Sequence, residues 1–228
     1  MTPPSPTAPP TRTRGRLSRA LERPLGAVIA ACAWLGLIIQ YAVFVAAGLE
    51  KLRGLFGTTV RYFGFFTILS NLLIAVGLTA RLAAPSSRPG RFFARPSVAA
   101  ASALYIVVVA LVYDLVLRRT WNPTGWQQLS DVLLHDLVPA SYVLYWGLVL
   151  PRARLPWRAA VTWLLFPACY FAYTLVRAPW VGGYPYPFLD VRALGYGPVL
   201  LNGLYLLVVF LVLGLGLIAV ARWLGPRT

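Results

Sequence analysis

Six apolar runs of membrane-crossing length follow one another within 228 residues, at 26–48, 62–82, 97–117, 128–150, 157–176 and 194–223. A bilayer core is about 30 Å thick, and roughly 20 residues of helix cross it. One such run could be a core helix of a soluble protein. Six of them leave too little polar surface to coat a soluble core. The chain is 59% hydrophobic and only 12% charged, about half the charged share usual for a soluble domain. Its mean hydropathy is +0.69. The sequence therefore predicts an all-α polytopic membrane protein, a bundle of six transmembrane helices over residues 25–225. Residues 1–24 are basic, rich in Pro, Thr, Ser and Arg, and lack an apolar period. They are expected to form a disordered cytoplasmic tail. The first run has a rival reading as a signal peptide cleaved near Gly48. It is longer than a signal core, so it is read as a retained span.

The charge balance, 21 Lys+Arg against 6 Asp+Glu, does not point to nucleic acid. No compact basic domain is present, and the arginines sit in short loops between apolar runs. That pattern sets orientation and contacts lipid headgroups. With six spans both termini share one side, which carries fourteen of the basic residues; Lys51, Arg53, Arg61, Arg118, Arg119, Arg177 and Arg192 lie on the other. The bias predicts a multi-pass protein of the cell membrane with both termini in the cytoplasm. Cys32 and Cys169 both lie inside apolar runs, so they are read as packing residues.

The polar residues gather at one depth. His135 is the only histidine and falls inside the fourth run. An ionisable group there is costly, and it marks a functional position. One histidine cannot build a metal cluster, so no metal is expected; it can act as a general base. Counting 1.5 Å per residue from the outer ends of the second and fourth runs, Thr67 lies about 9 Å deep and His135 about 12 Å. Thr67, Ser70 and Asn71 share a helix face, as do Asp131 and His135 at i, i+4. An aspartate so placed orients the imidazole, and a hydroxyl opposite completes a nucleophile–base–orienter set. Each residue also has a plainer role. Thr and Ser bond their own helix, Asn71 glues helices together, and Asp131 sits at a helix N-terminus. Asp114 pairs with Arg118 four residues on. The outer loop with Trp180, Tyr184, Tyr186 and Asp190 is aromatic and stiffened by prolines. It reads either as a lid over the polar pocket or as a structural cap. Pro139 and Pro167 predict kinks, tolerated where neighbouring helices satisfy the freed carbonyls.

Phe66-Thr67-Ile68-Leu69-Ser70-Asn71, Leu134-His135-Asp136-Leu137-Val138-Pro139 and Tyr184-Pro185-Tyr186-Pro187-Phe188-Leu189-Asp190 together resemble an uncharacterised bacterial family of six-span integral membrane proteins. That group is distantly similar to the androgen-induced membrane hydrolases of eukaryotes. The latter resemblance implies cleavage of fatty-acid esters of hydroxy fatty acids, with Thr67 as nucleophile and His135 as base. The surroundings of His135 and the Pro-rich loop depart from the eukaryotic pattern. The expected function is an intramembrane threonine-type lipid-ester hydrolase with an outer-leaflet site, membrane lipids as partners and no cofactor. The alternatives are a non-catalytic transporter or lipid-binding protein, and a structural membrane protein. No internal repeat supports an inverted-repeat transporter.

Overall fold

The computed structural model describes residues 11–50, 54–151, 153–181 and 183–225; the first ten residues of the basic tail lie outside these. Among the described residues every regular element is helical. Helix α1 (Thr11–Glu50) begins inside the segment expected to be a disordered tail, and its apolar part runs Ala20–Gly48. The short α2 (Leu55–Tyr62) precedes α3 (Phe66–Ala83). Helix α4 (Arg88–Phe93) is capped by Ser87, whose hydroxyl accepts from the Gly90 N–H at 3.0 Å. Helix α5 (Pro96–Val112) continues through a π-turn (Tyr113–Leu117) and a 3-10 turn (Arg118–Thr120). Helix α6 (Gly125–Val132), a second π-turn (Leu133–Leu137) and α7 (Val138–Leu148) follow one another as a rod. Next come α8 (Arg158–Trp163) and α9 (Leu165–Val181), and then α10 (Val191–Leu194) leads into α11 (Tyr196–Trp223).

Among the described residues, five helical segments are long and apolar enough to cross a membrane: Ala20–Gly48, Phe66–Ala83, Pro96–Thr120, Arg158–Val181 and Tyr196–Trp223. The architecture is an all-α polytopic bundle. The rod made by α6, its π-turn and α7 matches the run expected as a fourth span, but it is not among these five. Asp131, His135 and Asp136 lie along it and lower its apolarity. The residues that make this segment interesting also make it the least membrane-like.

Two prolines shape the rods as their chemistry requires. Proline has no N–H, so it strands a carbonyl one turn back. At Pro167 the stranded carbonyl belongs to Trp163, where α8 ends, and the Tyr105 hydroxyl donates to it at 2.8 Å. Around Pro139 the helix is in π-register: the Val138 N–H bonds the Leu133 carbonyl, five residues back. The next bond in that register would run from residue 139 to the Leu134 carbonyl, which a proline cannot make. Asn71 Nδ2 reaches that carbonyl instead, at 3.1 Å. Both kinks are thus stabilised by a side chain from another helix, as a chain without access to water requires.

Helices α3 and α5 form the centre. About half of each is buried, against roughly a quarter of α1, α9 and α11, which present the rest outward. Helix α1 packs on α3, α6 and α7, while α5 packs on α3, α7 and α11. Phe66, at the start of α3, is the hub of the aromatic core. Its ring centroid lies 5.1 Å from Tyr170, 5.4 Å from Phe166, 5.6 Å from Phe210 and 6.3 Å from Tyr105. These contacts fix the first turn of α3, and with it Thr67.

Candidate functional site

The two π-turns carry a connected set of polar side chains between them. Such a turn inserts one extra residue into a helix, and it is frequent at functional sites. Tyr113 opens the first, and its ring lies flat on the His135 imidazole, with centroids 3.9 Å apart and planes 15° apart. The Tyr113 hydroxyl donates to Asp131 Oδ2. His135 Nδ1 lies 3.2 Å from Asp131 Oδ1 and 3.1 Å from the Asp131 carbonyl. One carboxylate therefore takes the phenol on one oxygen and the imidazole on the other. That fixes the tautomer with the proton on Nδ1 and leaves Nε2 as the basic nitrogen. His135 Nε2 has no hydrogen-bond partner among the described residues. Beside this set, Arg118 binds both Asp114 and Asp136 and lies 4.7 Å from the Tyr113 ring centroid. The plainer reading of Asp114 and Arg118 as an i, i+4 pair describes what is there, with Asp136 added.

Thr67 stands in the first turn of α3, where backbone N–H groups have no intrahelical acceptor. It lines an apolar cavity of about 60 Å³ together with Phe66, Tyr113, Tyr170, Tyr186 and Phe210. A single water needs about 10–15 Å³ by the same measure, so the cavity has room for a short run of methylenes. The phenol groups on its wall are already engaged. Tyr113 donates to Asp131, Tyr170 donates to the Gly64 carbonyl at 2.9 Å, and Tyr186 receives the Thr67 N–H at a long 3.4 Å. Burial raises the Tyr186 phenol above its ordinary value, although its bonds to Thr67 act the other way. It stays a neutral donor at any physiological pH.

Asn71 connects the two halves. Its Nδ2 donates to the Thr67 carbonyl at 2.9 Å and to the Leu134 carbonyl at 3.1 Å. The turn that holds Thr67 and the turn that holds His135 are thereby clamped to one amide nitrogen. Both of its hydrogens are used, so Asn71 is a clamp and has no N–H for an oxyanion. Ser70 is buried on the same face with its hydroxyl unpartnered.

Thr67 and His135 thus come to neighbouring turns, but no hydrogen bond joins them among the described residues. His135 does not line the cavity; Tyr113 does, and it covers the imidazole. Of the loop residues expected at the site, only Tyr186 reaches it. Trp180 is 87% exposed. Tyr184 meets the Arg192 guanidinium at 5.8 Å, and Asp190 caps α10 by accepting the Arg192 N–H at 2.9 Å. Desolvation pushes the Asp190 carboxyl up, but the Arg192 side chain and N–H outweigh it and hold it below the ordinary carboxylate range. Sequence reasoning missed Tyr113, although its position beside Asp114 in an apolar run was a signal. It also missed Tyr170, which looks like any aromatic of a packed helix. Among the described residues no three His, Cys, Asp or Glu side chains gather as a metal ion would need. Comparison with protein-family models, with curated proteins and with solved structures finds no match for the chain.

Proposed function

We propose that this integral membrane protein is a hydrolase of long-chain acyl esters, with Thr67 as nucleophile and His135 as general base. The observation that carries the reading is the Asn71 clamp, which holds the Thr67 and His135 turns together beside an apolar cavity. The methylenes next to the ester lie in the cavity, the rest of the chain extends into the bilayer, and the carbonyl is presented at Thr67. Thr67 Oγ attacks the carbonyl carbon while His135 Nε2 takes the hydroxyl proton. The oxyanion forms at the first turn of α3, where the helix dipole favours negative charge. His135 then returns its proton to the leaving alcohol, and a water deprotonated by His135 releases the acid from Thr67. Asp131 holds the imidazole in the productive tautomer throughout. Tyr113 lies over His135, so it gives way, or a water carries the proton, when an ester is bound. Both termini lie in the cytoplasm in this reading, as the two-to-one bias of basic residues supports, and the site opens on the outer leaflet.

A second reading, a lipid-binding protein without catalysis, is favoured by one observation. The Tyr113–Asp131–His135 set is closed on itself and shares no bond with Thr67. One experiment separates the two. Intact cells expressing the chain receive a fluorogenic long-chain acyl ester and its butyrate analogue from outside. The hydrolase reading expects turnover of the long-chain ester above vector-only cells, with the butyrate poorly used. No excess turnover of either ester would leave the binding reading.

A further inference from the structure

Ester cleavage puts negative charge on the carbonyl oxygen, and most polar groups around Thr67 are already committed elsewhere. Both Asn71 Nδ2 hydrogens go to backbone carbonyls, those of Thr67 and Leu134. Three phenols line the cavity. Two of them are fixed as donors, Tyr113 to Asp131 and Tyr170 to the Gly64 carbonyl at 2.9 Å. The third is Tyr186. Its oxygen receives the Thr67 N–H at 3.4 Å, and no carbonyl or carboxylate among the described residues accepts its own proton. Burial raises this phenol, and the Thr67 side chain is the strongest of the groups that oppose the rise. The Tyr186 hydroxyl therefore faces both the backbone and the side chain of Thr67.

The loop that carries Tyr186 holds it in place before any substrate arrives. Pro185 and Pro187 flank it, and each ring removes backbone freedom. The 3-10 turn Pro187–Leu189 follows at once, with Leu189 buried and the Phe188 carbonyl accepting from Asn202 Nδ2 at 2.9 Å. The Tyr186 ring stacks on Phe188, with centroids 5.2 Å apart and planes 4° apart, and meets Phe65 edge to face at 5.8 Å. Phe65 is the N-cap residue of α3, so the phenol is braced on the helix end that carries Thr67. A donor fixed in advance stabilises developing charge without reorganising at the moment of reaction. The carbonyl oxygen of an ester attacked by Thr67 Oγ ends two bonds from that atom, beside a hydroxyl already turned to the same residue. A developing oxyanion is also a far better acceptor than a threonine or a phenol oxygen, so it takes the Tyr186 proton from either.

We propose that Tyr186 is a catalytic residue, the hydroxyl donor that stabilises the oxyanion when Thr67 attacks an acyl ester. This role rests on the ester-hydrolase reading. Tyr186→Phe tests it, because the variant keeps the ring between Phe65 and Phe188 and removes only the hydroxyl. Long-chain ester turnover by the full chain in detergent is expected to lose about 10²–10³-fold in kcat, the usual worth of one oxyanion donor, with KM little changed. A second measurement separates chemistry from loop support. A long-chain trifluoromethyl ketone takes the Thr67 oxygen on its carbonyl carbon, leaving an oxyanion on the former carbonyl oxygen and the hydroxyl proton on His135. The matching trifluoromethyl carbinol has the same chain and cannot be attacked. Binding of both is followed by fluorine NMR. Tyr186→Phe is expected to weaken the ketone about 10²-fold or more and to leave the carbinol unchanged. Equal weakening of ketone and carbinol, or a parent-like kcat in an active preparation, would overturn the role of Tyr186 and leave the hydrolase standing. A parent chain with neither ester turnover nor a ketone adduct on Thr67 would overturn both.

Discussion

Thr67→Ala is expected to reduce long-chain ester turnover to the level of membranes without the protein, and His135→Ala to lower kcat/KM by about 10²–10⁴-fold, the usual worth of a positioned general base. That factor corresponds to roughly 3–5 kcal/mol of barrier. The two losses have different signatures. Without Thr67 there is no acyl-enzyme, and no added base restores it. Without His135 the hydroxyl remains, so turnover rises again as hydroxide becomes available at high pH. Neither change should unfold the bundle. Thr67 is a small group on a cavity wall, so its loss enlarges a space that already exists. His135 gives up its stack on Tyr113, worth about 0.5–1.5 kcal/mol, and its contact with the Asp131 carboxylate, which keeps the Tyr113 hydroxyl. Turnover rates and thermal unfolding in detergent, measured on the same preparations, check both points. His135→Ala within threefold of the parent would remove the histidine from the chemistry.

The second large effect concerns Asp131. Its two carboxylate oxygens accept from Tyr113 and from His135 Nδ1. Asp131→Asn keeps the shape but offers one acceptor oxygen and one NH₂ donor. If the NH₂ faces the imidazole, Nδ1 must accept, the proton moves to Nε2, and the base is lost. If it faces Tyr113, the phenol oxygen accepts from it and the buried O–H loses its acceptor. The same exchange in a serine-protease triad costs about 10⁴-fold for this reason. A fall in kcat of about 10²–10⁴ is expected here, with KM little changed, because Asp131 touches the histidine and not the acyl cavity. The fold should persist, since an amide is cheaper to bury than a carboxylate. An Asn variant with the parent's kcat would show that Asp131 is there for packing alone.

Much of this was legible in the sequence because membrane physics narrows the choices. The apolar runs could only be buried by spanning, and their lengths located the rods. Pro139 and Pro167 announced two stranded carbonyls, because a missing N–H is a local fact. Which side chain would fill each was not legible. Asn71 and Tyr105 are chosen by how helices lie against one another. Helix rise alone put Thr67 and His135 at one expected depth; the Asn71 amide that bonds the Thr67 and Leu134 carbonyls was not legible. Tyr113 could not be read that way, because it arrives from a third rod and through a π-turn whose register no hydropathy pattern encodes. The fourth run shows the limit from the other side. Its three ionisable residues drew attention to the segment and also lower the apolarity that identifies a span. In the α9–α10 loop the aromatic and proline pattern suggested a lid, yet only Tyr186 turns inward. Trp180 ends a helix facing out, which depends on the phase of α9 and not on composition.

The central claim, that Thr67 is a nucleophile served by His135, is tested most directly by covalent labelling. A long-chain alkyl fluorophosphonate is incubated with the purified full chain in detergent, and the adduct is mapped by peptide mass spectrometry. Attack by a hydroxyl expels fluoride and leaves a stable phosphonate ester. The prediction is a single adduct on Thr67, absent from Thr67→Ala and strongly slowed in His135→Ala. An adduct on another residue, or labelling that persists undiminished in Thr67→Ala, would contradict it.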